Sequence, residues 1–487
     1  MKRLDGWKRA SVLILVCAVT AMSPAQTFTD LIDFNNTNGG FPFYMAMVQG
    51  VDGNLYGTTL GGGSAGSGAV FRLTPQGKLT TLYSFCSKSN CTDGVSPYSG
   101  LVQATDGNFY GTTSRGGANT FGTVFRITLG GKLTTLYSFC SQPNCTDGWL
   151  PYGPLVQGTD GNFYGTTFFG GPGSPNHGTV FKITPAGAFT TLYNFCPQSG
   201  CADGAYPSAG LLQYTDGNFY GTTSDGGTNG DGTVFKITPG GNLTTLHSFD
   251  GTDGAIPDAG LMVAANGNFY STTSRGGSSD GGGVFEITAE GNLTTLYSFC
   301  SPPLCSDGEY PTAGLVQAPG GDFYGTTSID GANGAGNFGT VFKITALGAL
   351  TTLYNFCSQP NCADGVEPYG GLVQSTNGTF YGTNYEGGDL SCDPPYGCGT
   401  IYSVNTGLGP FVRTLPSDGV VGAEIGILGT NLAGATGVSF NGTSAKFTVR
   451  LPSLILTHVP TGATSGEIKV TLPGGTLSSN LPFFVVK

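Results

Sequence analysis

The sequence predicts an all-β fold: a seven-bladed β-propeller closed by an N-terminal strand, followed by a small C-terminal immunoglobulin-like β-sandwich. Three observations carry this reading. The stretch at residues 106–117, Asp-Gly-Asn-Phe-Tyr-Gly-Thr-Thr-Ser-Arg-Gly-Gly, has seven counterparts in all, with tyrosines at Tyr56, Tyr110, Tyr164, Tyr220, Tyr270, Tyr324 and Tyr381. Their spacing of 50 to 57 residues marks a repeat architecture. Each unit holds four short strand-like runs and no helical period, the sequence cue for a propeller blade. Finally, the two ends of the array complement each other.

In the unit that spans residues 100–139, residues 100–103 read as a short first strand. Asp106-Gly107 is a tight hairpin turn, since both residues tolerate positive φ. Residues 108–113 form the second strand, 123–128 the third and 133–139 the fourth. A glycine-rich loop joins the second and third strands; a cysteine-bearing loop follows the fourth. Residues 28–34, ahead of the first unit, match a fourth strand, and the seventh unit stops after its third, at 399–404. Pairing head with tail gives seven strands of every type and removes two exposed sheet edges. The short turns then share one face of the disc and both long loops the other, so the long-loop face is the expected working surface.

The N-terminus reads as a signal peptide, residues 1–25: Lys2, Arg3, Lys8 and Arg9, then an apolar run too short to span a bilayer, then Ser23-Pro24-Ala25. Cleavage removes four basic residues and one acid, taking the formal charge from −11 to about −14. That balance disfavours nucleic acid and anionic membranes as partners. It suits a secreted protein, extracellular, on the cell surface or periplasmic, and no later run is long and apolar enough for a membrane span. A monomer is expected.

Of 13 cysteines, Cys17 falls in the leader. Ten of the other twelve make five pairs of one spacing, Cys86/Cys91, Cys140/Cys145, Cys196/Cys201, Cys300/Cys305 and Cys357/Cys362; Cys392/Cys398 lie in a different loop. An even count behind a leader predicts local disulfides. Zinc would need four ligands brought together. The cysteine-free loops after Phe34 and Phe249 are also shorter, as expected if each disulfide clasps an enlarged loop, contributing roughly 2 kcal/mol.

Past residue 410 the period ends, and residues 410–487 read as short strands with turns. The runs Gly426-Ile-Leu-Gly-Thr-Asn-Leu432, Gly434-Ala-Thr-Gly-Val-Ser-Phe-Asn-Gly442, Val459-Pro-Thr-Gly-Ala-Thr-Ser-Gly466 and Val470-Thr-Leu-Pro-Gly-Gly475 resemble the IPT/TIG family of immunoglobulin-like domains. That implies a spacer or interaction module without catalytic residues. The repeats, 27–406, carry Gly217-Asn-Phe-Tyr-Gly-Thr-Thr223 and Gly232-Thr-Val-Phe-Lys-Ile-Thr238. They resemble the bacterial tandem-repeat family called GloVer, for Gloeobacter and Verrucomicrobia, of choice-of-anchor type. The resemblance implies a secreted or surface protein and brings no biochemical activity.

Residues common to all units are scaffold, so candidate ligand-binding residues are those in long loops that break the repeat: Arg115, Trp149, Phe168, Phe169, His177, Arg275, Glu309, Tyr385 and Glu386. His247 stands where other units have a strand tyrosine and reads as structural. No catalytic residue, metal site or cofactor is assigned; loop acids leave calcium open, but no Asp-x-Asp-x-Asp-Gly loop is present. Six glutamines, Gln49, Gln103, Gln157, Gln213, Gln317 and Gln374, share one position, with Val263 in the seventh unit. They either line the central channel or bond adjacent blades, and the second is expected. The functional expectation is a non-enzymatic binding or scaffold protein that takes an extracellular glycan or protein ligand on the long-loop face. The alternative is a polysaccharide lyase or hydrolase using loop carboxylates, for which Glu309, Glu367 and Glu386 are the available acids.

Overall fold

A computed structural model describes residues 26–486 apart from 173–175, 198–199, 301–303, 335 and 337. The leader, with Cys17, lies outside the described residues. The fold is all-β and propeller-like. Seven four-stranded antiparallel sheets come from the repeats. One is built of Val102–Gln103, Phe109–Thr113, Thr123–Ile127 and Leu133–Ser138 in sequence order. The inner strands are only two residues long, shorter than the sequence reading.

The last of these sheets joins the two ends of the array. Thr27–Asp33 pairs antiparallel with Thr400–Asn405, with Phe28 opposite Val404 and Ile32 opposite Ile401. Phe28 also stacks on Tyr354 of the sixth repeat, ring centroids 3.7 Å apart. The head of the array thus completes its tail.

Residues of the repeated motif have distinct packing roles. The hydroxyl of Tyr110 donates to Asp106 in the hairpin turn at 2.9 Å. Its ring stacks on Phe163 of the next repeat at 4.0 Å. Equivalent Tyr–Phe contacts occur at Tyr56–Phe109, Tyr164–Phe219, Tyr220–Phe269, Tyr270–Phe323 and Tyr324–Phe380. At the closing joint Leu55 stands in place of the phenylalanine and packs in one cluster with Tyr381. Gly111 leaves room for the core ring beneath it, since a Cβ there would lie 2.8 Å from Phe125. The two threonines that follow bond outward: Thr112 Oγ1 donates to Pro151 O of the next repeat, and Thr113 Oγ1 to Arg115 O of its own loop.

The glutamines tie sheet to sheet, as expected. Gln103 Oε1 accepts from the backbone N–H of Val51 in the preceding repeat, at 2.9 Å. Gln157, Gln213 and Gln317 accept likewise from Thr105, Thr159 and Ala265. Gln49 accepts from Thr376 at 3.0 Å, across 327 residues, and so closes the circuit. The two joints without this bond have local causes. Val263 has no carboxamide. At Gln374 the donor position is Pro319, which has no N–H, and Gln374 Oε1 is left buried without a partner.

All six predicted disulfides form: Cys86–Cys91, Cys140–Cys145, Cys196–Cys201, Cys300–Cys305, Cys357–Cys362 and Cys392–Cys398. Their settings add two details. Cys91, Cys145 and Cys362 each end a short 3-10 turn, Ser89–Cys91, Pro143–Cys145 and Pro360–Cys362. The cause is the small ring: the chain must double back within five residues, and Asn90, Asn144 and Asn361 take left-handed φ of 57°, 57° and 58° to do so. Cys398 has a different setting. It is fully buried, in one cluster with Phe34, Met45, Phe71 and Ile401. It lies two residues ahead of the strand Thr400–Asn405, and its carbonyl accepts from Phe41 N–H at 2.8 Å. Its sulfur is therefore part of the closing core, where thiol-sized apolar groups pack well.

Beside the clasp, an aspartate in the loop accepts the hydroxyl of the outer-strand tyrosine: Tyr83 to Asp93 at 2.7 Å, Tyr137 to Asp147 at 2.6 Å, Tyr354 to Asp364 at 2.8 Å. His247 makes the same contact with Asp253, 2.7 Å, which fits its structural reading.

Residues 413–486 add a four-stranded sheet of Arg413–Leu415, Glu424–Leu428, Leu454–His458 and Phe447–Leu451, and a second of Thr443–Ala445, Gly437–Phe440, Ile468–Leu472 and Gly475–Ser478. Ile425, Ile427, Val438, Phe440, Ile455 and Val470 form their shared core. This unit sits on the tight-turn side of the repeats. Arg413 donates to Gln49 O at 2.9 Å, Ser453 to Val51 O at 2.8 Å, and Asn480 to Gln317 O at 3.3 Å. Burial lowers the pKa of the Arg413 guanidinium to about 10. No described helix is long and apolar enough to cross a membrane.

The joints can be tested one at a time. Gln49→Leu orphans the buried N–H of Thr376 and should destabilise the fold by about 1–3 kcal/mol; Gln374→Leu, whose Oε1 already lacks its donor, should cost less, as read from urea unfolding of both variants. A further test concerns the closing strand. Burial, then the nearby charges of Asp33 and Asp364, raise the Asp30 pKa to about 7. The fold therefore favours protonated Asp30, and this stabilisation is lost as pH rises toward and through 7. Asp30→Asn should raise Tm relative to the parent at pH 8 and lose that advantage at pH 4, measured by thermal unfolding.

Candidate functional site at the long-loop mouth

The two long loops of each repeat are zipped together by an isolated bridge, so they do emerge on the same side. The bridges are Val95 with Arg115, Trp149 with Phe169, Ala205 with Asp225, Ala255 with Arg275, Glu309 with Ile329, Val366 with Glu386, and Gly40 with Gly61. Six of the nine candidates, Arg115, Trp149, Phe169, Arg275, Glu309 and Glu386, occupy this single bridge. It forms the rim where the loops join, with side chains free to vary from repeat to repeat.

The aromatics are half-buried and packed on one another. Trp149 stacks on Phe169 at 4.7 Å, Phe168 on Tyr206 at 5.2 Å, and His177 lies 5.3 Å from Tyr206. Tyr385 is remote from this group and packs against Phe41 and Phe43. Arg275 lies over the Tyr310 ring at 4.0 Å and donates to its hydroxyl. Burial and the charge of Asp330 raise the pKa of Glu309; burial and the charge of Asp393 raise that of Glu386.

Between the loops and the inner strands lies a cavity of about 550 Å³ to which all seven repeats contribute. Of the nine candidates only Phe168 lines it. Its rim is one register position read round the seven repeats: Tyr44, Tyr98, Tyr152, Ser208, Asp258, Thr312 and Tyr369. Repeats 7, 1, 2 and 3 thus present tyrosine and repeats 4, 5 and 6 small polar or acidic groups. The tyrosine side is a continuous arc. Tyr369 and Tyr98 flank Tyr44 at 5.7 and 5.6 Å, Tyr98 stacks on Tyr152 at 4.2 Å, and Tyr152 meets Phe168 at 5.0 Å. The hydroxyls of Tyr44, Tyr98 and Tyr152 make no hydrogen bond to the described residues.

Opposite stands Asp258. Its Oδ1 accepts from Ser208 Oγ at 3.0 Å and Ser224 Oγ at 2.8 Å, and its Oδ2 from Ser274 Oγ at 3.2 Å. Burial raises its pKa, and these three hydroxyls oppose the rise. No described cation lies within ion-pair distance. The charge of Asp258 also helps raise the pKa values of Tyr44 and Tyr98, after burial as the larger cause. Sequence reasoning missed this carboxylate because it looked in the loops. The signal was present in the series Pro97-Tyr-Ser-Gly, Pro207-Ser-Ala-Gly, Pro257-Asp-Ala-Gly and Pro311-Thr-Ala-Gly, where one register position breaks the repeat just before the inner strand.

Chemically, the mouth joins an aromatic wall to one carboxylate. Asp258 is the only acid among the described residues lining the cavity, whereas glycoside hydrolysis uses a pair of carboxylates. Two groups of described residues, His177 with Cys196 and Cys201, and Cys300 with Cys305 and Glu309, cluster closely enough to suit a metal ion. Their cysteines are bound in disulfides and supply no thiolate.

Among solved structures, a fungal alcohol oxidase of the AA5 family in complex with copper is similar, with a TM-score of 0.51 and 13% identity over 92% of this chain and 98% of that one. The extracellular domain of a putative hybrid two-component system from B. thetaiotaomicron gives a TM-score of 0.48 and 10% identity over 95% of this chain and 58% of that one. A putative 6-phosphogluconolactonase from Bacteroides uniformis gives 0.41 and 17% over 61% and 80%. The first of these likenesses shows a shared β fold; at such identities none carries chemistry across. No curated protein matches the sequence. The sequence pattern of one family matches residues 17–146, 141–338 and 211–444, nearly the whole array, and the chain belongs to that family, the Gloeobacter/Verrucomicrobia repeat.

Proposed function

We propose that the protein is a secreted, non-enzymatic glycan-binding protein: a closed seven-bladed β-propeller that takes its ligand at the long-loop mouth and carries an immunoglobulin-like IPT/TIG spacer on its opposite face. The observation that carries the reading is the asymmetry of the mouth. Seven equivalent positions hold a contiguous tyrosine arc on one side and Ser208, Asp258 and Thr312 on the other. Most joints between sheets are made elsewhere, by the glutamines and the Tyr–Phe stacks, so the tyrosine arc is not needed to hold them; Asp258 alone also ties the fourth repeat to the fifth, where Val263 replaces the glutamine. Stacked aromatic faces with unpaired hydroxyls suit a sugar ring, which offers apolar C–H faces and polar edges. The cavity volume lies within the usual range for small-molecule sites. The C-terminal unit bonds to the first, sixth and seventh repeats on the tight-turn side, which favours approach from the long-loop mouth. Six disulfides support an oxidising, extracellular location.

A glycan array with the purified protein lacking residues 1–25 should show binding. Tyr98→Ala with Tyr152→Ala should weaken it at least tenfold, about 1.4 kcal/mol, while Trp149→Ala with Phe169→Ala weakens it less. Equal binding by the tyrosine double variant, or release of product from a polysaccharide panel, would overturn the reading.

A further inference from the structure

We propose that the ligand carries a cationic amine that seats on Asp258, so that the preferred glycan is an oligosaccharide of hexosamines with free amino groups; this deepens the glycan reading and rests on it. Four observations converge. The carboxylate lines a cavity walled by protein and has no described cationic partner. A half-buried carboxylate without a counter-charge carries a desolvation cost, and three serine hydroxyls offset that cost only in part. A carboxylate has about four acceptor positions; the serines take at most three, two on Oδ1 and one on Oδ2, and the single protons of Ser224 and Ser274 are shared with the carbonyls of Tyr206 and Ile256. One position therefore stays open on Oδ2, enough for a single N–H of an ammonium group.

The opposite wall completes the match. Tyr44, Tyr98, Tyr152 and Tyr369 line the same cavity, and their rings offer apolar surface to the rest of the sugar while its amine seats on Asp258. An anionic ligand would meet both Asp258 and an acidic chain of formal charge −11. A hydrated divalent ion is a poor fit, because calcium takes six to eight oxygens and most of this carboxylate's acceptor capacity is already used. A primary ammonium is small, carries one charge and needs one strong acceptor with aromatic surroundings.

Titration calorimetry separates this inference from the reading it rests on. The probes are a glucosamine tetramer, an N-acetylglucosamine tetramer and tetramethylammonium, each against the parent and Asp258→Asn. The glucosamine tetramer should bind at least tenfold more tightly than its acetylated counterpart, and Asp258→Asn should erase the difference. Rising salt should weaken only the charged probes with the parent, a readout that holds even where the variant folds poorly. Equal binding of both tetramers, unaffected by Asp258→Asn and salt, would overturn the amine and leave the glycan reading in place. Binding of tetramethylammonium with neither tetramer would overturn the glycan reading and keep the cation site. No binding by any probe overturns the inference.

Discussion

The architecture depends on one constraint: seven sheets that are alike must pack side by side until the last meets the first. At five of the seven joints the contact is made twice over. A tyrosine from each motif lies on the second-strand phenylalanine of the next repeat, with leucine at the closing position. A glutamine carboxamide from the inner strand accepts a backbone N–H of the repeat before it. Both interactions are short-range, and repetition carries them round until Gln49 meets Thr376 and Thr27–Asp33 meets Thr400–Asn405. A chain with long loops and little charge gains its order from this closure, since each sheet buries its faces only against its neighbours.

Because the joints lie within the sheets, the loops above are released from structural duty. Where present, the cysteine clasp and the Tyr–Asp hydrogen bond hold the outer loops in shape, and the bridge between the loops fixes the rim. What varies is confined to a few register positions. One of them turns inward, and there the repeats divide into a tyrosine side and a polar side with Asp258. The C-terminal unit approaches from the other direction, with Arg413 buried against the inner strand of the first repeat. The two ends of the channel are thus unequal.

Much of the fold was legible in the sequence because its determinants are local. Asp-Gly turns, the alternation around Phe125 and Ile127, and the spacing of cysteine pairs each report on a few neighbouring residues. The missing fourth strand at Val404 and the extra one at Phe28 reported the closure by simple count. Cysteine spacing gave the pairing but not the setting: the 3-10 turns at Cys91, Cys145 and Cys362 follow from ring size, and the burial of Cys398 follows from closure of the last sheet. The site was less legible. Residues such as Arg115, Glu309 and Glu386 stood out as irregular, yet they share a bridge position at the rim. Trp149, Phe168 and Phe169 stood out as loop aromatics that break the repeat, and in the fold they shield one another by packing together. Asp258 was passed over because its meaning lies in three serines, two from the neighbouring repeat, and in a tyrosine wall that only the circular arrangement brings opposite it. The docking of the C-terminal unit, through Arg413, Ser453 and Asn480, had no local signature at all.

Everything proposed for this protein turns on a ligand held at the long-loop mouth. The decisive measurement is a crystal structure of the protein from residue 26 onward, grown with the glucosamine tetramer. The expected result is sugar density against Tyr98 and Tyr152 with an amine nitrogen within hydrogen-bond distance of Asp258 Oδ2. Sugar bound instead to the tight-turn face or the C-terminal unit, with the mouth empty, would contradict it.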